Sequence, residues 1–216
     1  TVSASGQRDS IDVQQQVSDH SGRGNAFVPY SHETMPALEV SYQQLKNLAI
    51  RRRSVRWYDN APVEQHKLEQ AFEIATLAPS ACNRQPFRFD YTLDPKKATE
   101  IAKFAMGTTG FADNLTAIIV VVGDLGCYPE ERDRHIIYID GALASMQLML
   151  ALETLGLSSC PINWPDIESR EQQLQQYLQL PDHERPVMLM AVGYAKPTGQ
   201  IPFSQKKGAH LISRQL

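Results

Sequence analysis

Apolar and polar side chains alternate without a break over Phe87-Arg88-Phe89-Asp90-Tyr91-Thr92-Leu93, and that period of two predicts a half-buried β-strand. Ala117-Ile118-Ile119-Val120-Val121-Val122 is instead a continuous β-branched run, the mark of a central strand covered on both faces. Residues 187–194 repeat that continuous pattern and predict a last strand. Between these runs the period lengthens to that of a helix. Leu38, Leu45, Leu48 and Ala49 predict a helix running to about Ile50, and Leu68, Ala71, Phe72, Ala75 and Ala78 mark the buried face of another over residues 63–77. Asp94-Pro95 opens a helix that is expected to end near Met106, and a polar helix is expected over residues 168–178. Residues 132–155 form a long helix, apolar on most sides and stopped by Gly156 at the position after its C-cap. So apolar a helix needs burial all round, in a large core or against a partner subunit. The stretch Cys160-Pro161-Ile162-Asn163-Trp164-Pro165 reads as a loop.

Residues 1–36 carry neither period and are rich in Ser, Gln, Gly and Asp, so they are read as an extended or disordered leader. Phe27, Val28 and Tyr30 are its only docking anchors. Residues 37–216 then form one globular α+β domain, and the tail after Ala195 is too polar to fold by itself.

Composition narrows the class. A chain of 216 residues with 42% hydrophobic content can bury one sizeable core. A net charge of -3 with basic residues spread along the chain argues against a general nucleic-acid binder. Cys82, Cys127 and Cys160 are odd in number and widely spaced, which predicts buried free thiols in a reducing, cytoplasmic setting and no metal site. No signal peptide or membrane span is expected, because the most apolar stretch, residues 141–152, is short and sits among Asp140, Gln147 and Glu153. The chain opens on Thr1, as a processed form or a piece of a longer chain does. The six histidines are scattered and are assigned surface or structural positions.

Two stretches carry candidate chemistry. Arg51-Arg52-Arg53-Ser54-Val55-Arg56 puts four arginines in six residues. Charge runs usually form a solvated face. In an extended segment, however, Arg52, Ser54 and Arg56 share one side, with Arg53 and Val55 on the other. Two guanidiniums flanking a hydroxyl make a phosphate receptor, since the planar fork matches phosphate oxygens. The glycine-rich loops of dinucleotide folds and P-loop enzymes are absent. The second stretch, Pro79-Ser80-Ala81-Cys82-Asn83-Arg84-Gln85-Pro86, lies between a helix and a strand and offers hydroxyl and amide groups to a ligand with a mixed polar edge.

Taken together, Arg52-Arg53-Ser54-Val55-Arg56, then Ala78-Pro79-Ser80 with Asn83 and Gln85-Pro86, then the helix through Asp140-Gly141-Ala142 to Leu155-Gly156-Leu157, and a terminal Val192-Gly193-Tyr194 before a basic tail, resemble the FMN-dependent nitroreductase family. The resemblance covers roughly residues 40–216. It implies a homodimeric three-layer α/β/α sandwich with a mostly antiparallel sheet and FMN at the subunit interface. NADH or NADPH would reduce the flavin, and a nitroaromatic, quinone or other flat acceptor would reoxidise it. By position, Arg52, Arg53, Ser54 and Arg56 would serve the phosphate and ribityl end, with Lys207 or Lys206 as a further phosphate contact. Pro79, Ser80 and Ala81 would approach the flavin from the opposite subunit, with Asn83 and Gln85 shaping that loop. Where members commonly have Glu-Gly, offering a backbone N–H to the flavin, this chain has Asn163-Trp164 after Ile162. Trp164 is either a core residue or a wall of the pocket mouth. No side chain is assigned a catalytic role, because the chemistry belongs to the flavin. The alternative is a specialised or non-catalytic member, given over to azoline oxidation, dehalogenation, flavin fragmentation or plain flavin or anion binding.

Overall fold

The structure is a computed structural model that describes residues 29–216. Phe27 and Val28, two of the expected anchors, lie outside the described residues, and Tyr30 is exposed. Ser31 caps a single 3-10 turn, His32–Thr34. The compact body is Gln43–Leu216.

Four strands, β1 (Phe87–Thr92), β2 (Ala117–Asp124), β3 (Ser158–Asn163) and β4 (Glu184–Gly193), form one sheet in the order β1-β2-β4-β3, with every pairing antiparallel. The register places Phe89 opposite Val121, Ile118 opposite Ala191, and Ser159 opposite Val192. Successive residues of β2 point to opposite faces. Ile118, Val120 and Val122 join Leu189, Ala191, Cys160 and Ile162 under α3 (Pro95–Ala102) and α5 (Glu168–Leu178). Ala117 and Ile119 join Met190 and Val192 under α2 (Gln65–Ala75) and α4 (Ile136–Thr154). Both faces are therefore covered. That is why β2 is apolar at consecutive positions even though an antiparallel sheet usually wets one face.

Local chemistry sets the helix ends. Asp94 caps α3 by accepting from Lys96 N at 2.9 Å, and Pro95 occupies the first turn, where its missing N–H costs nothing. The sequence extends this helix to Met106, but it stops at Ala102, where the carbonyl accepts the Thr108 hydroxyl at 2.9 Å instead of continuing the ladder. Gly156 has φ 79°, and Leu157 N donates back to Leu152 O at 2.9 Å, closing α4 as a Schellman turn. Its start is later than expected, since residues 131–133 form a 3-10 turn. Gly123 lets α4 cross the end of β2, because a Cβ there would stand 2.7 Å from Ile137 Cβ. The segment Glu131–Thr154 is long and apolar enough to cross a membrane by length and composition, yet 50% of its most apolar 18-residue window is buried within the protein, where α4 packs on α2 and the sheet. Gly141, Leu148 and Leu152 lie on its buried side, whereas Ile139, Leu143 and Met146 remain exposed.

Three further expectations need correction. Residues 160–165 are expected as a loop, but β3 runs through Pro161 to Asn163; it is the edge strand beside β4, and an edge strand tolerates a proline. β4 starts at Glu184 rather than 187, and Pro186 sits beside a register shift between Val121 and Val122 that relieves the missing donor. α1 (Tyr42–Arg51) begins after Leu38 and buries none of its residues, so its apolar positions are not core positions in a single chain.

Candidate functional site

Arg52 N still donates to Leu48 O at 2.9 Å, so α1 holds the chain as far as Arg52, and extended geometry starts after it. Ser54 forms a parallel bridge with Ser159, and Val55 N donates to Ser159 O at 3.0 Å. The segment thus lies as a strap along the open edge of β3. Val55 turns into the core, and the hydroxyl of buried Tyr58 locks the strap by donating to Val55 O at 2.7 Å and Ala191 O at 3.2 Å. Burial pushes the Tyr58 phenol well above its ordinary pKa, so it stays a donor.

The strap forms one wall of a cavity of about 260 Å³. Arg52, Arg53, Ser54 and Arg56 line it, facing the tail residues 201–204 and Lys206; Lys207 is not in the lining. Arg53 belongs to the lining along with the three residues expected to share one side, and Arg52 closes the last turn of α1 rather than starting the extended segment. No carboxylate lines the cavity. The Arg56 guanidinium lies 5.6 Å from the centre of the Phe111 ring, and Asn114 Nδ2 donates to Arg56 O at 2.9 Å, so its direction is set by packing. Arg52 Nε is buried with no hydrogen-bond partner. Glu153, buried at the end of α4, takes Arg51 at 3.3 Å. Burial holds the Glu153 carboxyl above its usual range, and Arg51 and Arg52 pull it back. Burial likewise pushes the Cys160 thiol up, against the pull of Arg56 and Ser54, leaving it a neutral neighbour of the cavity wall.

The second stretch is built differently. Residues 79–86 contain no glycine, yet Cys82, Asn83 and Gln85 have φ of 53°, 52° and 49°. Ser80 Oγ donates to Asp140 Oδ2 at 2.7 Å, and Ala81 N donates to the same oxygen at 3.0 Å. Ser80 Oγ also accepts from Gln85 N at 2.7 Å, Gln85 Nε2 donates to Asn83 Oδ1 at 3.2 Å, and Tyr128 OH donates to Ala81 O at 2.8 Å. Arg84 donates to Cys127 O and lies over the Tyr128 ring. Pro79, Asn83 and Gln85 are exposed at the surface of this braced loop. Cys82 is exposed too, so of the three thiols expected to be buried only Cys160 is fully so.

At the far end of β3, Ile162 is buried on the α3–α5 face and Asn163 is exposed. Trp164 is half-buried against the same core cluster, and its Nε1 is buried without an acceptor. The indole packs on that cluster with part of its surface still open.

The arginine cavity and the braced loop do not meet within one chain. They flank opposite edges of the sheet, β3 and β1, about 14 Å apart at three strand spacings. They also adjoin opposite ends of α4, since Asp140 anchors the loop and Glu153, thirteen residues on and about 20 Å along the axis, pairs with Arg51. Asp140, Glu153 and Tyr128 are the residues that motif reading missed. An acid inside an otherwise apolar helical run was the available signal for the first two; nothing in the sequence marked Tyr128.

An antiparallel sheet sandwiched between helices, with an anion-receptive cavity on one edge and an anchored polar loop on the other, is a known architecture. The Nitroreductase family profile matches residues 49–113 and 94–194. YdgI of Bacillus subtilis (strain 168), named for an NAD(P)H nitroreductase, is 32% identical over 186 residues, 68% of this chain and 87% of that protein. The iodotyrosine deiodinase of Haliscomenobacter hydrossis is 26% identical over 220 residues, covering 84% of this chain and 94% of the relative. The crystal structure of a nitroreductase family protein from Streptococcus pneumoniae TIGR4 superposes with a TM-score of 0.67 at 22% identity, over 80% of this chain and 100% of that one. The chain belongs to the nitroreductase family.

Proposed function

We propose that this protein is an FMN-dependent NAD(P)H oxidoreductase that works as a homodimer. The observation that carries the reading is the cavity beside β3. Arg52, Arg53, Arg56 and Lys206 surround it with the Ser54 hydroxyl and without a carboxylate, and the buried Arg52 Nε has no partner. That donor set fits a phosphomonoester: guanidiniums take two oxygens each, the ammonium adds a point charge, and the hydroxyl takes a further oxygen. Arg52, Ser54 and Arg56 would hold the phosphate and ribityl end, with Arg53 and Lys206 completing the wall. The isoalloxazine would lie toward Asn163, four residues and about 13 Å along the edge of β3 from Ser159. The backbone N–H groups of residues 163–164 are free of proline and available there as donors.

The chemistry FMN supplies when bound is acceptance of hydride from NADH or NADPH and delivery of electrons to a flat conjugated acceptor, such as a nitroaromatic or a quinone. The chain's own part is to bind, orient and shield. Cations near the cofactor oppose the negative charge of reduction. Ser80, Ala81, Asn83 and Gln85 belong to the edge opposite the cavity, so they reach a flavin only from a second copy of the chain. The exposed stripe Ile139, Leu143 and Met146 on α4, with the apolar residues of α1, is the surface such a copy would cover. An interface of this kind resembles a core cut in half.

The test is direct. Purified protein should carry the visible absorption of bound flavin, about one FMN per chain, and NADH or NADPH should bleach it anaerobically. Colourless protein that cannot be reconstituted with FMN overturns the reading. A second reading, reductive dehalogenation, is favoured by the deiodinase relative, whose likeness spans 84% of this chain. Anaerobic turnover with iodotyrosine that releases iodide faster than a nitroaromatic is consumed would support it over the first.

A further inference from the structure

We propose that Asp140 is the positioning residue of the flavin-facing loop. One of its carboxylate oxygens holds residues 79–86 in the form in which they meet a cofactor bound by the partner copy. The inference rests on the FMN reading above and adds a residue to which that reading gives no role. Three residues with a Cβ sit in the left-handed region within four positions, Cys82, Asn83 and Gln85. Such backbone is tolerated by glycine and, less readily, by Asn, and is unfavourable for Cys82 and Gln85, so there it persists only where surrounding bonds fix it.

Two of the bonds that fix it converge on one atom, and a third joins them through a side chain. Asp140 Oδ2 accepts from both Ser80 Oγ and Ala81 N, and Ser80 Oγ passes the constraint on by accepting from Gln85 N. Asp140 is 2% exposed. Among the described residues it forms no ion pair, so the loop's own donors are what its charge meets. A buried carboxylate without those donors is strongly disfavoured, and the loop without the carboxylate loses a buried anchor that holds two of its groups. Anchor and loop therefore order each other. Ile139 and Leu143, exposed on the same helix, put the anchor beside the surface proposed to face the second copy.

Three variants, Asp140→Ala, Asp140→Asn and Ser80→Ala, test this by amide hydrogen exchange on the FMN-free protein and by fluorescence titration with FMN. Asp140→Ala removes two hydrogen bonds, from Ser80 Oγ and Ala81 N, and should speed exchange in the peptide covering residues 79–86 and weaken FMN binding, each about tenfold or more, the least that one charge-assisted hydrogen bond is worth. Asp140→Asn keeps an acceptor oxygen in place and should return both quantities to within about threefold of wild type. Ser80→Ala should speed exchange at Gln85 without touching α4, and it decides the matter if Asp140→Ala does not fold. Unchanged exchange in Asp140→Ala and Ser80→Ala overturns the proposal, as does an Asp140→Asn variant as damaged as Asp140→Ala. A loosened loop with unchanged FMN affinity also overturns the positioning role. If the wild type binds no FMN, the cofactor reading fails, and the exchange data still decide whether Asp140 orders the loop.

Discussion

Replacing Arg52 by Met tests the cavity most sharply, because the unbranched stem is kept and only the guanidinium is lost. On the proposed reading, the change would remove one charge-assisted hydrogen bond to the FMN phosphate, or two if the contact is bidentate. Each is worth about 1.5–3 kcal/mol, so one bond alone corresponds to a fall in FMN affinity of about ten- to a hundredfold. The loss should be confined to phosphate. Riboflavin, which has none, should bind wild type and variant alike within a factor of about two. In the FMN-free protein two effects oppose each other. A buried Nε without an acceptor carries a desolvation cost of about 1–3 kcal/mol, and removing it is stabilising. Glu153, however, is left with Arg51 as its close cation. The melting temperature should therefore move by only a few degrees, at about 2–4 °C per kcal/mol for a chain of this size. Fluorescence titrations of FMN-free protein with FMN and with riboflavin, at low and high salt, measure the difference. If Arg52→Met weakens both ligands equally, or neither, Arg52 does not hold the phosphate.

The other expectations follow from single residues. Burial raises the Glu153 carboxyl above its ordinary value of 4.5, so its contribution to stability is full below that value and is lost as pH rises through the folded one. Glu153→Gln should consequently be more stable than wild type at neutral pH, with the advantage shrinking on acidification; urea melts that show the advantage growing toward low pH would contradict this. Leu143 is 42% exposed in one chain, so Leu143→Arg should leave the isolated fold within about 0.5 kcal/mol of wild type. The same change should split the proposed dimer and release flavin, and light scattering that finds an intact, flavin-loaded dimer counts against α4 as the interface. Trp164→Phe keeps the ring and removes an N–H buried without an acceptor, and should match or exceed wild-type stability, whereas Trp164→Gly should lose about 3 kcal/mol. A Trp164→Gly protein that melts like wild type but changes its preference among acceptors would make the indole a pocket wall.

What could be read in the sequence, and what could not, divides along a physical line. Local period and composition were enough for β2, for the body of α2 and for the stop of α4 at Gly156, because burial and φ constraints act on neighbouring residues there. β3 was missed because its signals are those of its position. It is an edge strand with Pro161 inside it and Ser158 and Ser159 at its start, and its pairing with β4, from Ser158 opposite Gly193 to Asn163 opposite Met188, is what makes it a strand. The arginine cluster could be named, but not where the helix ends within it, since nothing local says that α1 reaches as far as Arg52. The loop residues were named without their support. Asp140 is sixty residues from Ser80 in sequence, and a hydrogen bond over that span leaves no periodic trace.

The long apolar helix ties these pieces together. A helix of this kind could serve one core only, but α4 has three kinds of surface. Leu148 and Leu152 fill the layer beneath it, Ile139, Leu143 and Met146 stay exposed, and two buried acids stand near its ends. Asp140 reaches the loop beside β1 and Glu153 the strap beside β3. Because a helix is stiff, the spacing between the two anchors is fixed at about 20 Å. A single cofactor in contact with both loop and strap cannot draw them from one chain at that spacing. A two-fold pairing through the exposed face of α4 would lay the strap of one chain against the loop of the other and make two equivalent sites at once. On this argument the exposed stripe and the divided site have one cause: the helix that separates the half-sites within a chain is also the surface that joins them between chains. Leu143→Arg and Asp140→Ala should then damage flavin binding by different routes, the first together with the dimer and the second with the dimer intact. Size-exclusion chromatography of the two variants, run with and without FMN, distinguishes them. A monomeric Leu143→Arg protein that still binds FMN as tightly as wild type would show that one chain suffices and would break the argument.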